Sequence, residues 1–248
     1  MFDVLRRLGV LSLCCLPVLS TPVVAKQTAL LPYEQHGRIS GPALISRLAD
    51  QAPDLDPQVL TAAVSAMECA VAGGVDPAER LAVIDFSLPS TEQRLWIFDL
   101  LEQRLVLQDL VAHGQGSGDN LASRFSNIEG SHQSSIGLFR TQESYFGRHG
   151  YSLRMDGLEP GFNDLARQRA IVIHSADYVD PSWISRHGRI GRSHGCPAVR
   201  PEVGDMVVDS LKGGQFMFSW YPDDHWLATS ELINCPNRTD DGLMTAGR

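Results

Sequence analysis

Residues 188–202 contain the tripeptide His194-Gly195-Cys196, whose residue types suit thiol chemistry. A cysteine acts as a nucleophile when a histidine takes its proton, another group orients that histidine, and N–H groups bind the oxyanion. Cys196 can also be a disulfide partner, a zinc ligand or a packed structural residue. The tripeptide alone does not choose among these roles.

Three histidines lie close enough in the sequence to act as the base. His174 ends the apolar run 169–175, where a buried strand would deliver its side chain to a rim, and Cys196 follows 22 residues later. His187 lies in a segment rich in glycine and arginine, and His194 reaches Cys196 only in a particular turn. Spacing therefore leaves the choice of base open.

Gly195 puts no side chain beside the thiol, so we expect backbone N–H groups to be exposed there for an oxyanion. Nearby arginines can lower the thiol pKa or bind substrate carboxylates, with a solvated loop as the alternative. They are Arg186, Arg189, Arg192 and Arg200. A zinc site is disfavoured because His194 and Cys196 are only two residues apart and neither Cys-x-x-Cys nor His-Glu-x-x-His occurs.

The composition is that of a globular protein, with 248 residues of which 43% are hydrophobic and 20% charged. A net charge of −8 without a basic run disfavours nucleic acid as a partner. Residues 1–25 resemble a secretory signal, because Arg6 and Arg7 precede an apolar run and small residues. No segment reaches the roughly 20 apolar residues of a membrane helix. We therefore expect a soluble protein exported to the periplasm or cell envelope.

Three cysteines follow the predicted signal peptide: Cys69, Cys196 and Cys235. In an oxidising compartment an odd number leaves one thiol unpaired or paired between chains. Cys69 lies in an apolar, helix-like stretch, so we expect it to be a buried small residue, with a bridge to Cys235 as the alternative. That bridge would leave Cys196 free.

The hydrophobic pattern changes period along the chain, and each change predicts a boundary. Apolar residues recur at helical spacing on both sides of Pro53 and Pro57, which predicts two helices. Beyond Gly73-Gly74 the period becomes two, which predicts short strands. The predicted organisation is a signal peptide over 1–25, a linker over 26–41, a helical prefix over 42–79, a mostly β domain over 80–222 and a polar, flexible tail over 223–248.

Local signals place further elements inside the β domain. Residues 94–113 predict a hairpin that turns near 101–103. Pro201 suits the first turn of a helix and Gly213-Gly214 suits its end, so we expect a helix over Pro201–Leu211 and a final strand over 215–221. The predicted fold class is mostly β with flanking helices, an α+β arrangement.

Several motifs in combination resemble a known family. The run 171–199 contains His174-Ser175-Ala176 and Ser193-His194-Gly195-Cys196, and it occurs with motifs such as Ser134-Ser135-Ile136-Gly137. Together they resemble the murein L,D-transpeptidases over about residues 80–222. The resemblance implies a β-sandwich or barrel catalytic domain with the nucleophilic cysteine beside the rim of the sheet.

The resemblance also implies roles for individual residues. Cys196 would be the nucleophile, His174 the general base, and the backbone carbonyl of Ser175 would orient the imidazole. His194 and Gly195 would shape the oxyanion region, and Ser193 would support the loop. The residues expected to contact the substrate are Ser193, Arg189, Arg192 and Arg200.

The implied reaction is acyl transfer on peptidoglycan stem peptides, without a metal or organic cofactor. The Cys196 thiolate would attack the carbonyl of the L-centre of diaminopimelate in a tetrapeptide stem and release the terminal D-alanine. An amine of a second stem would resolve the thioester into a 3→3 cross-link. A carbapenem is expected to acylate the same thiol.

Other functions remain open at this point. If water resolves the thioester, the same residues make an L,D-carboxypeptidase or endopeptidase. A non-catalytic wall-binding domain with a structural Cys196 is disfavoured by the presence of His174. A papain-like protease is disfavoured because its cysteine normally precedes its histidine.

The chain departs from the family pattern directly after the cysteine. Pro197 and Ala198 stand where the family usually has an aliphatic residue followed by Arg or Asn. The donor expected two residues after the cysteine is therefore missing. Arg200 is the hypothesised replacement, although Pro197 restricts the loop.

Overall fold

The structure is a computed structural model that describes residues 41–235. The predicted signal peptide, the predicted linker up to residue 40 and the tail beyond residue 235 lie outside the described residues. Helices α1 (Gly41–Gln51) and α2 (Pro57–Ala72) come first. Asp56 begins α2 by accepting a hydrogen bond from the Gln58 N–H, and Gly73 ends it. The two helices predicted from the apolar periodicity are confirmed.

Residues 80–235 contain nine strands and three further helices. The strands are β1 (Arg80–Asp85), β2 (Leu95–Asp99), β3 (Arg104–Asp109), β4 (Val111–Ala112), β5 (Gly137–Gly147), β6 (Gly150–Gly157), β7 (Val172–Ser175), β8 (Ala198–Val199) and β9 (Phe216–Trp220). The helices are α3 (Pro181–His187), α4 (Pro201–Leu211) and α5 (Asp224–Thr229). The predicted hairpin corresponds to β2 and β3, and the helix Pro201–Leu211 is confirmed at both ends.

The strands form one mixed sheet in the order β3-β2-β1-β9-β5-β6-β7-β8-β4. The pairs β1–β9 and β7–β8 are parallel, and the other pairs are antiparallel. The edge strands β3 and β4 are separated in the chain only by Leu110. The sheet must therefore curve until its two edges are neighbours, which gives a nearly closed barrel.

The two faces of the sheet pack into two apolar cores. Leu81 and Val83 of β1 belong to one core, and Ala82 and Ile84 belong to the other. This alternation follows from the period of two in a strand. Helices α1 and α2 cover the first core and α4 covers the second. The sheet and its helices confirm the predicted α+β class with an N-terminal helical prefix.

A disulfide bond joins Cys69 of α2 to Cys235, with the two Cα atoms 6.0 Å apart. The expectation that Cys69 is an unpaired buried residue was wrong, because the chain after β9 returns to α2. Cys196 is the free cysteine of the described region.

The prediction of a flexible tail from residue 223 was also wrong for residues 224–235. They contain α5, whose Trp226 is completely buried in the core beneath α1 and α2. The Trp226 Nε1–H and the Ser230 hydroxyl both donate to the buried carboxylate of Glu159, at 2.7 and 2.5 Å. One buried indole and its hydrogen bonds therefore order a segment whose composition is mostly polar. No helix within residues 41–235 is long and apolar enough to cross a membrane.

Candidate active site

The predicted base lies on β7, and the thiol lies on the loop that leads into the neighbouring strand β8. In the parallel pair β7–β8, His174 is opposite Ala198, and Cys196 lies two residues before Ala198. The Cys196 side chain is partly buried. Its Sγ accepts a hydrogen bond from the Val172 N–H at 3.4 Å and donates to the Ala170 carbonyl at 3.7 Å. The short strand β7 thus contributes both the imidazole and a backbone donor for the sulfur.

The ring of His174 has a defined orientation. Its Nδ1 lies 2.8 Å from the backbone carbonyl oxygen of Ser175. Because a carbonyl oxygen only accepts, this bond requires the proton on Nδ1 and leaves the lone pair on Nε2. Among the hydrogen bonds of the described residues, none joins the His174 ring to Cys196. Such bonds are often long in unliganded enzymes and shorten when the substrate binds.

The electrostatics favour a neutral pair in the free protein. Burial lowers the pKa of His174, the Ser175 carbonyl opposes this effect, and His149 adds to it. Burial raises the pKa of the Cys196 thiol, while the Val172 N–H and Arg169 lower it. Both shifts favour the uncharged forms, a neutral imidazole and a protonated thiol.

Ser193 makes hydrogen bonds within the cysteine loop, which is the segment 193–196, and to the segment 113–115. Its hydroxyl donates to the Cys196 carbonyl at 2.6 Å and accepts from the Gly195 N–H at 3.0 Å. Its backbone N–H donates to the His113 carbonyl at 3.0 Å, and its carbonyl accepts from the Gln115 N–H at 2.8 Å. These four hydrogen bonds fix the position of Ser193 in the loop, as the predicted supporting role requires.

Gly195 is required by space and by backbone conformation. Its φ is +124°, and a Cβ there would lie 2.9 Å from both the Gln133 carbonyl oxygen and the Ile171 side chain. The expectation of an exposed N–H was wrong for this residue, since the Ser193 hydroxyl already binds it. The Gly195 carbonyl accepts a hydrogen bond from the Ser134 hydroxyl at 3.1 Å. The Ser134 hydroxyl oxygen in turn accepts a hydrogen bond from the Gly114 N–H.

His194 is exposed on the other side of the loop. Its ring stacks on that of His132, with the centroids 4.3 Å apart and the planes 7° apart. The Gln115 side-chain amide lies 3.0 Å from His132 Nδ1. His187 is exposed at the end of α3 and contacts Trp183, so it is not brought to the thiol.

The arginines predicted around the thiol have other partners. Arg200 makes two bonds of 2.7 Å to Asp109 through Nε and Nη2, and the hypothesis that it replaces the missing donor stays a prediction. Arg189 binds Asp119 at 2.6 Å, and Arg192 donates to the Gly118 carbonyl at 2.6 Å and lies 3.5 Å from Asp119. Arg186 binds Ser182 of its own helix. A role for Arg189, Arg192 and Arg200 in substrate binding stays a prediction.

Three groups at the site were missed from the sequence. The ring of His149, at the β5–β6 turn, stacks on that of His174 with the centroids 4.5 Å apart. Burial and the nearby thiolate raise the pKa of Tyr178. Arg169 is the cation that lowers the pKa of the thiol. Only the position of Arg169 at the start of the run leading to His174 could have drawn attention to it.

A buried pair, Arg94 and His113, lies next to the cysteine loop. Arg94 and His113 are both fully buried, and Arg94 Nη2 lies 2.7 Å from His113 Nδ1. Burial, and then Arg94, lower the pKa of His113 to about 3, and burial lowers the pKa of Arg94 to about 9. Since the His113 carbonyl accepts from Ser193, this pair is connected to the cysteine loop. Within residues 41–235 no group of three or more His, Cys, Asp or Glu side chains could hold a metal ion.

Fold and site together define a β-sheet protein with a thiol and an oriented imidazole at one rim. The chain belongs to the L,D-transpeptidase catalytic domain family, whose model matches residues 51–220. This match confirms the family resemblance and extends it to include α2. No curated protein gives a significant match.

Solved structures are similar only at low identity. The chain is 13% identical to an L,D-transpeptidase from Mycobacterium smegmatis, covering 58% of this chain and 60% of that one, with a TM-score of 0.37. L,D-transpeptidase 3 from Mycobacterium tuberculosis is 10% identical, with 58% and 62% covered and a TM-score of 0.38. An L,D-transpeptidase from Stackebrandtia nassauensis is 11% identical, with 71% and 76% covered and a TM-score of 0.35. The chain spans about 60% of the length of the two mycobacterial structures.

Proposed function

We propose that this protein is an exported peptidoglycan L,D-transpeptidase with Cys196 as nucleophile and His174 as general base. The observation that carries the proposal is the bond between His174 Nδ1 and the Ser175 carbonyl at 2.8 Å. It puts the lone pair on Nε2, which is the protonation state that a base needs. A cysteine two residues before the strand partner of His174 supplies the nucleophile.

In the first step, Cys196 transfers its proton to His174 Nε2 while sulfur attacks the carbonyl carbon at the L-centre of diaminopimelate. The peptide C–N bond then breaks, and the imidazolium returns the proton to the amine of the departing D-alanine. In the second step, an amine of another stem attacks the thioester carbon and gives a proton to His174 Nε2, and the C–S bond breaks as that proton passes to sulfur and restores the thiol. The lowered pKa of His174 suits the first proton transfer, since the ring is neutral before it occurs.

The tetrahedral intermediate needs donors for its oxyanion. The Cys196 N–H is one candidate, because it belongs to the nucleophile itself and already lowers the pKa of the thiol. The Gly195 N–H becomes a second donor if the Ser193 hydroxyl rotates away from it. Ser193 therefore controls one of the two donors.

Export and the substrate belong to the same proposal. The Cys69–Cys235 bridge supports an oxidising compartment, since disulfides are rare in reducing ones. The stem peptides of peptidoglycan are found outside the cytoplasmic membrane, so a leader over residues 1–25 suits this substrate.

The test is the intact mass of the full chain after incubation with a carbapenem. We expect one adduct on the wild type, none on Cys196→Ala, and slow formation on His174→Gln. His187→Gln is the matched control, because it removes an exposed histidine away from the thiol. A folded, reduced wild type that gives no adduct would contradict the proposal.

Incubation with a tetrapeptide stem then separates transfer from hydrolysis. A cross-linked dimer that requires an added amine acceptor supports the transpeptidase. Release of D-alanine with a free tripeptide, at equal rates with and without the acceptor, would instead support the carboxypeptidase.

A further inference from the structure

The sulfur of Cys196 lies against the backbone of the turn that precedes β7. Its contacts there are the Val172 N–H and the Ala170 carbonyl. Ala170 has a φ of +53°, in the left-handed region that residues with a side chain seldom adopt. The residue immediately before it is Arg169. A conformation of this kind persists only where surrounding contacts stabilise it, and the neighbouring Arg169 side chain makes four hydrogen bonds.

Arg169 links this turn to the segment 126–135. Nη1 donates to the Ser126 carbonyl and to the Ser135 hydroxyl, both at 2.5 Å. Nη2 donates to the Gln133 carbonyl at 2.7 Å and to the Ser131 hydroxyl at 3.2 Å. The Nε–H is buried without a hydrogen-bond partner. Because the Nη groups are already occupied, this guanidinium is not arranged to bind a substrate carboxylate.

All four partners of Arg169 are neutral, which distinguishes it from the other arginines near the loop. Arg189, Arg192 and Arg200 each have a carboxylate within 4 Å, whereas Arg169 has no such ion pair with any residue in the described range 41–235. Its Nη2 would lie 3.6 Å from a Cβ on Gly195, the residue before the nucleophile. Its positive charge is therefore not neutralised locally and lies beside the thiol loop.

We propose that Arg169 is a positioning residue that stabilises the thiolate of Cys196 and binds the segment 126–135 to the site. The proposal deepens the proposed function and rests on it for its catalytic consequence. The other titratable groups of this part of the molecule are His174 on β7, Tyr178 after β7 and the exposed His194 two residues before Cys196. None of these groups carries a fixed positive charge. Arg169 therefore supplies a positive charge near Cys196, although Ala198 stands where the family usually has Arg or Asn.

The experiment measures the rate of iodoacetamide alkylation against pH for the full chain, with the rate of Cys196→Ser subtracted. We expect Arg169→Gln to raise the midpoint, and hence the pKa of the Cys196 thiol, by about 1. Arg169→Lys should remain near the wild type because it keeps the charge. Arg167→Gln is the matched control, since Arg167 is exposed and pairs with Asp156 and Glu143.

The proposal is overturned if folded Arg169→Gln has the wild-type midpoint, or if Arg167→Gln gives the same rise. Should Arg169→Gln fail to fold, the wild type itself provides the test. The Arg169 Nε–H resonance of ¹⁵N-labelled protein should then shift with the same pH midpoint as alkylation and should not shift in Cys196→Ser. An Arg169 Nε–H chemical shift that does not change when the Cys196 thiol ionises would contradict the proposal.

Alkylation requires neither a stem peptide nor a carbapenem. A protein that shows the expected pKa response but forms no acyl adduct therefore counts against the proposed function alone. The opposite result, acylation without any pKa response, counts against the role of Arg169 alone.

Discussion

The helical side of the molecule and the thiol rim are stabilised by different interactions. Helices α1, α2 and α5 pack through apolar side chains against one face of the sheet, and the Cys69–Cys235 bridge links α2 to the segment that follows α5. At the rim, short polar contacts dominate, such as those of Ser193, Ser134 and Arg169. Apolar packing is non-directional, whereas hydrogen bonds fix orientation. The helical side is therefore expected to determine stability, and the rim to determine chemistry.

The strongest test of this division is His174→Gln. We expect the rate of carbapenem acylation to fall by about 10²- to 10⁴-fold, the usual contribution of a general base. The urea midpoint should change less than the rate, because Gln keeps a polar side chain at this buried position. Stopped-flow acylation and urea unfolding measure the two effects. A large loss of stability with unchanged acylation would reverse the assignment of the two regions.

Leu60→Ala tests the helical side. Leu60 of α2 is completely buried in the apolar core between the helices and the sheet. Its truncation should therefore lower the free energy of unfolding by about 2–5 kcal/mol. The alkylation midpoint of Cys196 should not move. Thr61→Ala, at an exposed neighbouring position on the same helix, is the control. A shift of the thiol midpoint in Leu60→Ala would show that the two regions are coupled.

The buried His113 tests whether the rim also contributes to stability at acid pH. Its pKa of about 3 is below the ordinary value of 6.5, so the unfolded chain binds one more proton between these values. Stability should consequently be complete above pH 6.5 and decrease by about 1.4 kcal/mol per pH unit as the pH falls towards 3. His113→Gln should show a smaller slope by that amount in urea titrations at several pH values. His187→Gln, at an exposed site, should retain the wild-type slope.

The smallest effect is expected from His149→Ala. His149 stacks on His174 and lowers its pKa, and removal of this ring also exposes His174. Both changes raise the pKa of His174, so the acid limb of the acylation profile should move to higher pH with a rate change of a few fold. Arg148→Ala removes a charge from the same turn without the stack and serves as the control. Identical profiles for His149→Ala and the wild type would exclude His149 from the site.

Much of the framework could be predicted from the sequence because local rules govern it. Pro201 and Gly213 mark the ends of α4, and the period of two identifies the strands around His174. Helix α3 was missed because seven residues without a buried side chain leave no apolar period. Trp226 was missed because a single buried aromatic residue in a polar segment has no pattern.

A candidate thiol and a candidate base could be proposed from motifs, but their surroundings could not be predicted. The bond from Ser134 to Gly195 joins residues 61 positions apart, and the contact of Arg169 with Gln133 spans 36 positions. Spacing within one segment does not record such contacts. The sequence also did not indicate that Arg189 and Arg200 pair with Asp119 and Asp109, which are distant in the sequence.

The Cys69–Cys235 bridge also determines how the chain responds to cleavage. All nine strands of the described region and both site residues lie between its two cysteines. A protease that cuts the exposed turn near Phe146, whose side chain is 82% exposed, therefore leaves two fragments in one covalent unit. Such a nicked protein would migrate as an intact chain on a non-reducing gel and separate only after reduction. The bridge also closes only after residue 235 has been synthesised, so oxidation follows synthesis of all nine strands of the described region.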